Sequence, residues 1–213
     1  MKQKIEVCNI SKSINKKIIF ANVSGTFKSG NIYGFIGRNG SGKTVFFKCL
    51  CGFMEVSEGK IMQNKKLLKK DCEFLENCGF LIENPGFLSY ESGYHNLKYL
   101  AAINGKIGKE QIYESIRQVG LDPEDKKRVG KYSLGMRQRL GIAQAIMEDP
   151  DILVLDEPMN GLDNEGVGVI RNLLLEQKEK GKIIFIASHY KEDIEYLCDE
   201  TYCFNSGKCD KAE

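Results

Sequence analysis

One stretch constrains this chain more than any other. Gly37-Arg38-Asn39-Gly40-Ser41-Gly42-Lys43-Thr44 satisfies the pattern G-x-x-x-x-G-K-[ST] at every specified position. An apolar run, Ile32 to Ile36, reads as a buried strand before it, and Val45-Phe46-Phe47-Lys48-Cys49-Leu50 continues as a helix after it. Strand, loop and helix are the context in which such a loop closes on phosphate. The glycines at 37, 40 and 42 are expected to take positive φ and bring successive N–H groups against a polyphosphate with no Cβ in the way. Asn39, Gly40, Ser41, Gly42, Lys43, Thr44 and Val45 then form the cradle. Lys43 adds a mobile positive charge for the outer phosphates, the Thr44 hydroxyl can reach a magnesium ion, and the helix amino end adds its partial charge. The expected ligand is a nucleoside triphosphate with Mg²⁺.

The rest of the chain reads as the α/β domain such a loop needs. Residues 4–10 and 18–27 are strand-like and joined by a polar turn at Ser13 to Lys17, which predicts an antiparallel β unit at the amino end. Gly52 ends the helix after the loop. Ser57-Glu58-Gly59-Lys60 reads as a turn before a short strand, Ile61-Met62, and Cys78 to Ile82 as a further strand stopping at Glu83-Asn84-Pro85-Gly86. Apolar residues then recur at helical steps from Tyr90 to Ile103 and from Lys109 to Val119. No strand is expected between Pro85 and Met147. Residues 85–147 are therefore assigned to a helical subdomain inserted into a core formed by residues 1–84 and 148–213. The aromatics Phe87, Tyr90, Tyr94 and Tyr99 are expected in its core. From Asp151 the order is strand, helix, strand, helix, strand, which implies a mostly parallel sheet with its chemistry at the carboxyl ends of the strands.

Composition excludes several alternatives. The 31 basic and 29 acidic residues nearly balance, so a net charge of +2 offers no footprint for nucleic acid. No run of eighteen apolar residues is present, and Met1-Lys2-Gln3-Lys4 leads into strand-like alternation instead of a signal-peptide core, so a cytosolic protein is expected. Eight scattered cysteines without a CxxC pair are expected to be reduced thiols and not a zinc site.

Two further motifs stand out, one at a strand end and one before a helix. Ile152-Leu153-Val154-Leu155 followed by Asp156-Glu157-Pro158 has the form of a Walker B strand. Asp156 can hold Mg²⁺ directly or through water, and Glu157 extends beyond the sheet edge, where it can orient an attacking water or accept its proton. Between the phosphate loop and this strand stands Tyr132-Ser133-Leu134-Gly135-Met136-Arg137-Gln138-Arg139-Leu140. Here the chain resembles the ATP-binding cassette (ABC) ATPases, whose signature is L-S-G-G-Q before a helix. Tyr132, Leu134 and Met136 depart from that pattern, whereas Ser133 and Gly135 keep the hydroxyl and free N–H groups at a helix amino end.

The resemblance implies more, position by position. Asn160-Gly161-Leu162-Asp163 looks like the D-loop, whose aspartate helps couple two sites, and His189 matches the switch histidine that contacts the γ phosphate. Leu81-Ile82-Glu83-Asn84-Pro85-Gly86-Phe87 resembles the glutamate loop of bacitracin-resistance and lantibiotic-immunity transporters, where most cassettes have glutamine. Glu83 thus joins Thr44 and Asp156 as an expected Mg²⁺ or water ligand. Ile14 stands where many cassettes stack an aromatic on adenine. The family further implies a dimer, as homodimer or with a similar cassette, in which Ser133 completes the site of the partner copy. It also implies separate transmembrane permease subunits docking near Glu83 to Tyr99, and a place on the inner face of the cell membrane. Catalysis is expected from Glu157, His189 and Lys43, with export of a peptide antibiotic or other drug as the work done. The alternative is a soluble ABC protein acting on ribosomes or DNA. A phosphate-loop kinase would leave Ser133, Asp163 and His189 unexplained.

Overall fold

The computed structural model describes residues 3–205 and 207–212; the opening Met1-Lys2, part of the signal-peptide reading, lies outside them. Two sheets organise the chain. The first is antiparallel, in the order β2-β1-β4-β5, from β1 (Lys4–Ile14), β2 (Lys17–Lys28), β4 (Glu58–Gln63) and β5 (Lys66–Leu67). Its hairpin turns on Asn15 and Lys16, both left-handed at φ 50° and 64°, the two-residue loop whose twist matches the flanking strands. The expected turn at Glu58 to Lys60 is instead the start of β4, because Glu58 pairs with Ser11 and Lys60 with Cys8. Pairing recruits polar residues that composition alone assigns to a loop.

The second sheet runs β10-β9-β3-β8-β7-β6, built from β3 (Asn31–Ile36), β6 (Cys78–Leu81), β7 (Ile152–Asp156), β8 (Ile183–Ser188), β9 (Glu200–Asn205) and β10 (Lys208–Lys211). All neighbours are parallel except β10, which turns back on β9. Strand β3 enters between β8 and β9, so the ends of β3, β8 and β7 stand side by side. That adjacency brings the phosphate loop, His189 and Asp156 to one edge.

Alternation along the strands feeds two cores. Tyr33, Phe35, Ile152, Val154, Ile183 and Phe185 face the antiparallel sheet and helix α1 (Lys43–Cys51), in a core crowded with rings. On the other face, Leu153, Leu155, Ile184 and Ile186 meet an aliphatic core shared with α5 (Asn164–Glu179) and α6 (Lys191–Leu197). The same aliphatic core takes in α2 (Gly93–Asn104), α3 (Lys109–Gln118) and α4 (Leu134–Ile146), which lie between β6 and β7 with no strand among the described residues. Helix α4 packs closely on β6, since a Cβ at Gly79 would fall 1.8 Å from the Ala145 carbonyl oxygen. Two of the aromatics expected in the core are not there. Tyr90 is 64% exposed and Tyr99 48%, while Phe87 and Tyr94 are partly buried against the aliphatic core. Helical spacing marks a face but not whether a neighbour covers it. All eight cysteines are free, and no described helix is long and apolar enough to cross a membrane.

Candidate active site

The phosphate loop leaves β3 and enters α1, whose amino end carries no side-chain cap. Its first N–H groups are therefore available to an anion. Gly40 and Gly42 take φ 76° and 111°, conformations that a side chain would strain. Gly37 does not share that conformation. It is required for another reason, because a Cβ there would fall 2.6 Å from the Phe204 carbonyl oxygen on β9. Lys43 is buried, its Nζ donating to the Gly37 carbonyl at 2.7 Å and standing 3.8 Å from Glu157 Oε1. Ser41 Oγ is buried without a hydrogen-bond partner, and Asn39 is exposed at the loop tip. The Val45 side chain packs against the ring-rich core and helps seat the helix.

Across from the loop, Asp156 ends β7 as a buried carboxylate. Thr44 Oγ1 donates to Asp156 Oδ2 at 2.5 Å. Burial raises the Asp156 pKa above the usual carboxylate value; the Thr44 hydrogen bond and the Lys43 charge oppose that rise, and the charges of Glu157 and Glu83 add to it. Glu157 follows in the left-handed region at φ 52°. Its N–H donates to the Ala187 carbonyl at 2.9 Å, and Oε2 lies 2.7 Å from His189 Nδ1. Two sets of contacts, Thr44 with Asp156 and Lys43 with Glu157 and His189, thus stand side by side on neighbouring residues.

The remaining expected residues form a second group. Ser133 caps α4, its hydroxyl accepting the Met136 N–H at 3.1 Å. Asp163 caps α5 in the same way, accepting from the Gly166 N–H at 2.9 Å. That hydrogen bond, with the Arg139 guanidinium beside it, holds the Asp163 pKa below the usual range. Gly135 lets the two turns touch, since a Cβ at 135 would meet the Gly161 carbonyl oxygen at 2.7 Å. Ser133, Gly135, Met136, Arg139, Gly161 and Asp163 line one open depression of about 460 Å³. No residue of the phosphate loop lines it.

Residues 20–160 match the family model for ABC transporters. The chain belongs to the ABC transporter family. It is 44% identical over 209 residues to an uncharacterized ABC transporter ATP-binding protein, YybJ, of Bacillus subtilis (strain 168), covering 98% of this chain and 96% of that one. It is 39% identical over 201 residues to the bacitracin transport ATP-binding protein BcrA of Enterococcus faecalis, covering 93% of this chain and 65% of that protein. A solved dimeric bacterial ABC transporter cassette shares the fold with a TM-score of 0.84 at 19% identity, covering 98% of this chain and 99% of that one. The protein is an ABC transporter subunit that binds and hydrolyses ATP.

Two positions read from the sequence as departures from the common cassette pattern take the following places. Glu83, left-handed at φ 61°, reaches Lys48 Nζ at 2.7 Å, on the last turn of the phosphate-loop helix. Lys48 offsets the Glu83 charge, a partner the sequence did not announce. Ile14 ends β1 at 38% exposure, with an aliphatic side chain that has no ring to stack. Gln138, Arg139 and Lys48 also escape sequence reasoning. Each carries its polar group to a residue distant in the chain, and spacing contains no sign of that.

Proposed function

We propose that this ABC ATPase hydrolyses ATP at the interface of two cassettes and drives export of a peptide antibiotic or related drug through separate membrane-spanning subunits. The observation that carries the dimer is the division of the site. The phosphate-handling set and the signature depression lie apart in one chain, so a second cassette, identical or similar, is needed to bring Ser133 and Gly135 to the nucleotide. The dimeric form of the structural neighbour supports the same arrangement. The peptide-antibiotic cargo is supported by the bacitracin relative and by Glu83.

Within that site Lys43 leaves the Gly37 carbonyl for the outer phosphates. Thr44 and Asp156 are hard oxygen donors already in contact, with Glu83 nearby in charge, a set that fits Mg²⁺. A bound magnesium ion neutralises charge on the β and γ phosphates. Glu157 orients the water and takes its proton, and His189 fixes the Glu157 carboxylate. The helical subdomain, residues 85–147, carries the signature toward the partner. For the spanning subunits, the exposed rings Phe53, Phe74 and Phe80, with Phe53 and Phe80 centroids 4.7 Å apart, supply an apolar surface close to the Glu83 loop. The chain then sits peripherally on the cytoplasmic face of the membrane, with no nucleic acid partner.

The test is Glu157→Gln. Loss of the base is expected to slow turnover by ~10²- to 10⁴-fold. ATP binding should survive, and an ATP-dependent dimer should accumulate on size exclusion. Turnover at the wild-type rate, or a species that stays monomeric with ATP, would refute the reading.

A further inference from the structure

Glu157 occupies a backbone conformation that side-chain-bearing residues rarely adopt, and something must hold it there. Contacts at its N–H, its carboxylate and its carbonyl do so. Its N–H is tied to Ala187 at 2.9 Å and its carboxylate to His189 at 2.7 Å. Its carbonyl oxygen accepts two hydrogen bonds, one from the Asn160 N–H of its own turn at 3.1 Å and one from Gln138 Nε2 at 2.8 Å, the second being the one that comes from another element. Gln138 is 9% exposed and lies on α4, the helix whose amino end is the signature Ser133. The next residue, Arg139, points to the other side of the junction. Its Nη2 donates to Asp163 Oδ1 at 3.1 Å and its Nη1 to the Gly120 carbonyl at 3.4 Å. Gly166 leaves room for that guanidinium, because a Cβ at 166 would fall 2.4 Å from Nη2.

We propose that Gln138 and Arg139 are positioning residues that link the signature turn to the hydrolytic carboxylate of the same chain. Gln138 acts on Glu157 through its carbonyl oxygen, and Arg139 acts on the Asp163 turn. The proposal rests on the reading of Glu157 as the water-activating base. Successive helical residues project about 100° apart, so one rigid helix can hold both turns at once. When the partner's nucleotide seats on Ser133 and Gly135, any shift of the α4 amino end is carried to the Glu157 backbone by the buried amide and to the D-loop by the guanidinium. Turnover at one phosphate loop then depends on occupancy of the signature belonging to the same chain. That dependence is cooperativity between the two sites of a dimer, with Gln138 as its mechanical element.

The test uses the full-length chain. Gln138→Met keeps the shape and removes the donor. It should leave the ATP dissociation constant within about twofold by calorimetry and preserve the ATP-dependent dimer, while kcat falls about tenfold, the scale of one lost buried hydrogen bond. The Hill coefficient for ATP should fall toward one. A purely structural role would lower the melting temperature and ATP affinity together instead of splitting kcat from binding. Should Gln138→Met fail to fold, Arg139→Met against Arg139→Lys serves the same end: the lysine should recover cooperativity and the methionine should not. An unchanged kcat and Hill coefficient in Gln138→Met overturn the proposal, as does a kcat loss that only tracks affinity. Glu157→Gln, measured beside it, separates the two claims. Normal turnover there removes the base reading itself, whereas slow Glu157→Gln with normal Gln138→Met removes the link alone.

Discussion

The phosphate-loop half and the signature half of this molecule are built on different principles. Around the loop, charged and polar side chains satisfy one another, Lys43 with Gly37 and Glu157, Thr44 with Asp156, and His189 with Glu157. The helix behind them is anchored by rings, Phe35 lying 5.0 Å from Phe46 and 5.4 Å from Phe47. The signature half has one such pair, Arg139 with Asp163, and relies on close backbone approach, Gly135 against Gly161, over a core of leucine and isoleucine. Its Ser133 and Asp163 caps accept local N–H groups, and Asp163 also accepts from Arg139. The lesson is that charge stabilisation needs a frame that does not reorganise, which interlocked aromatics supply, whereas two exposed helix-capping turns are kept together as one piece by close backbone contact.

That contrast can be broken by removing the charge from one half and the close approach from the other. Lys43→Ala is expected to have the largest effect, weakening ATP binding about 10- to 100-fold, as charged hydrogen bonds are worth roughly 1.5 to 3 kcal/mol. Unchanged affinity by titration calorimetry would mean that charge is not what this half contributes. Gly135→Val should act differently. Its side chain meets the Gly161 carbonyl, and overpacking of about 1 to 3 kcal/mol should lower the melting temperature by roughly 2 to 10 °C. Nucleotide affinity of the isolated chain should be untouched, so a matching loss of ATP binding would show the halves to be one.

The smallest effect is a comparison of two aspartates, one from each half. Asp156 is shifted up from 3.8 by burial, and Asp163 is shifted down from the same value by the Gly166 N–H and Arg139. The signs for stability are opposite. Asp163 contributes stability that is present above 3.8 and is lost as pH falls through its lower folded value. Asp156 instead carries a penalty that is full above its raised value and is relieved as pH falls toward 3.8. A carboxyl-carbon NMR titration of the nucleotide-free chain should find Asp156 titrating above Asp163; the reverse order would remove the electrostatic difference between the halves.

Much of this was legible in the residues. The phosphate loop, the Asp156-Glu157 pair and the βαβαβ order are local patterns, because phosphate geometry and sheet burial dictate contiguous residues. The supports were not legible. Glu83 lies 35 residues from Lys48, Gln138 lies 19 from Glu157, and Arg139 lies 24 from Asp163, and no periodicity connects such pairs. The short strands β5 and β10 were missed for a related reason: paired edges, and not propensity, make them strands. Gly37 was identified correctly as a glycine position but for the wrong cause, which only the approach of β9 reveals.

Sequence by itself determined that the chain folds around a triphosphate, with a strand, a glycine loop and a helix in an order that leaves few alternatives. It also determined which carboxylate ends which strand, since both are set by neighbouring residues. Tertiary structure decided which groups touch. It alone put β3 between β8 and β9, gave Glu83 its lysine and Glu157 its glutamine, and left the phosphate loop out of the depression that Ser133 and Gly135 line. The reason is physical: hydrogen bonds between distant residues form only after the two cores have packed and set the distances across which side chains can reach.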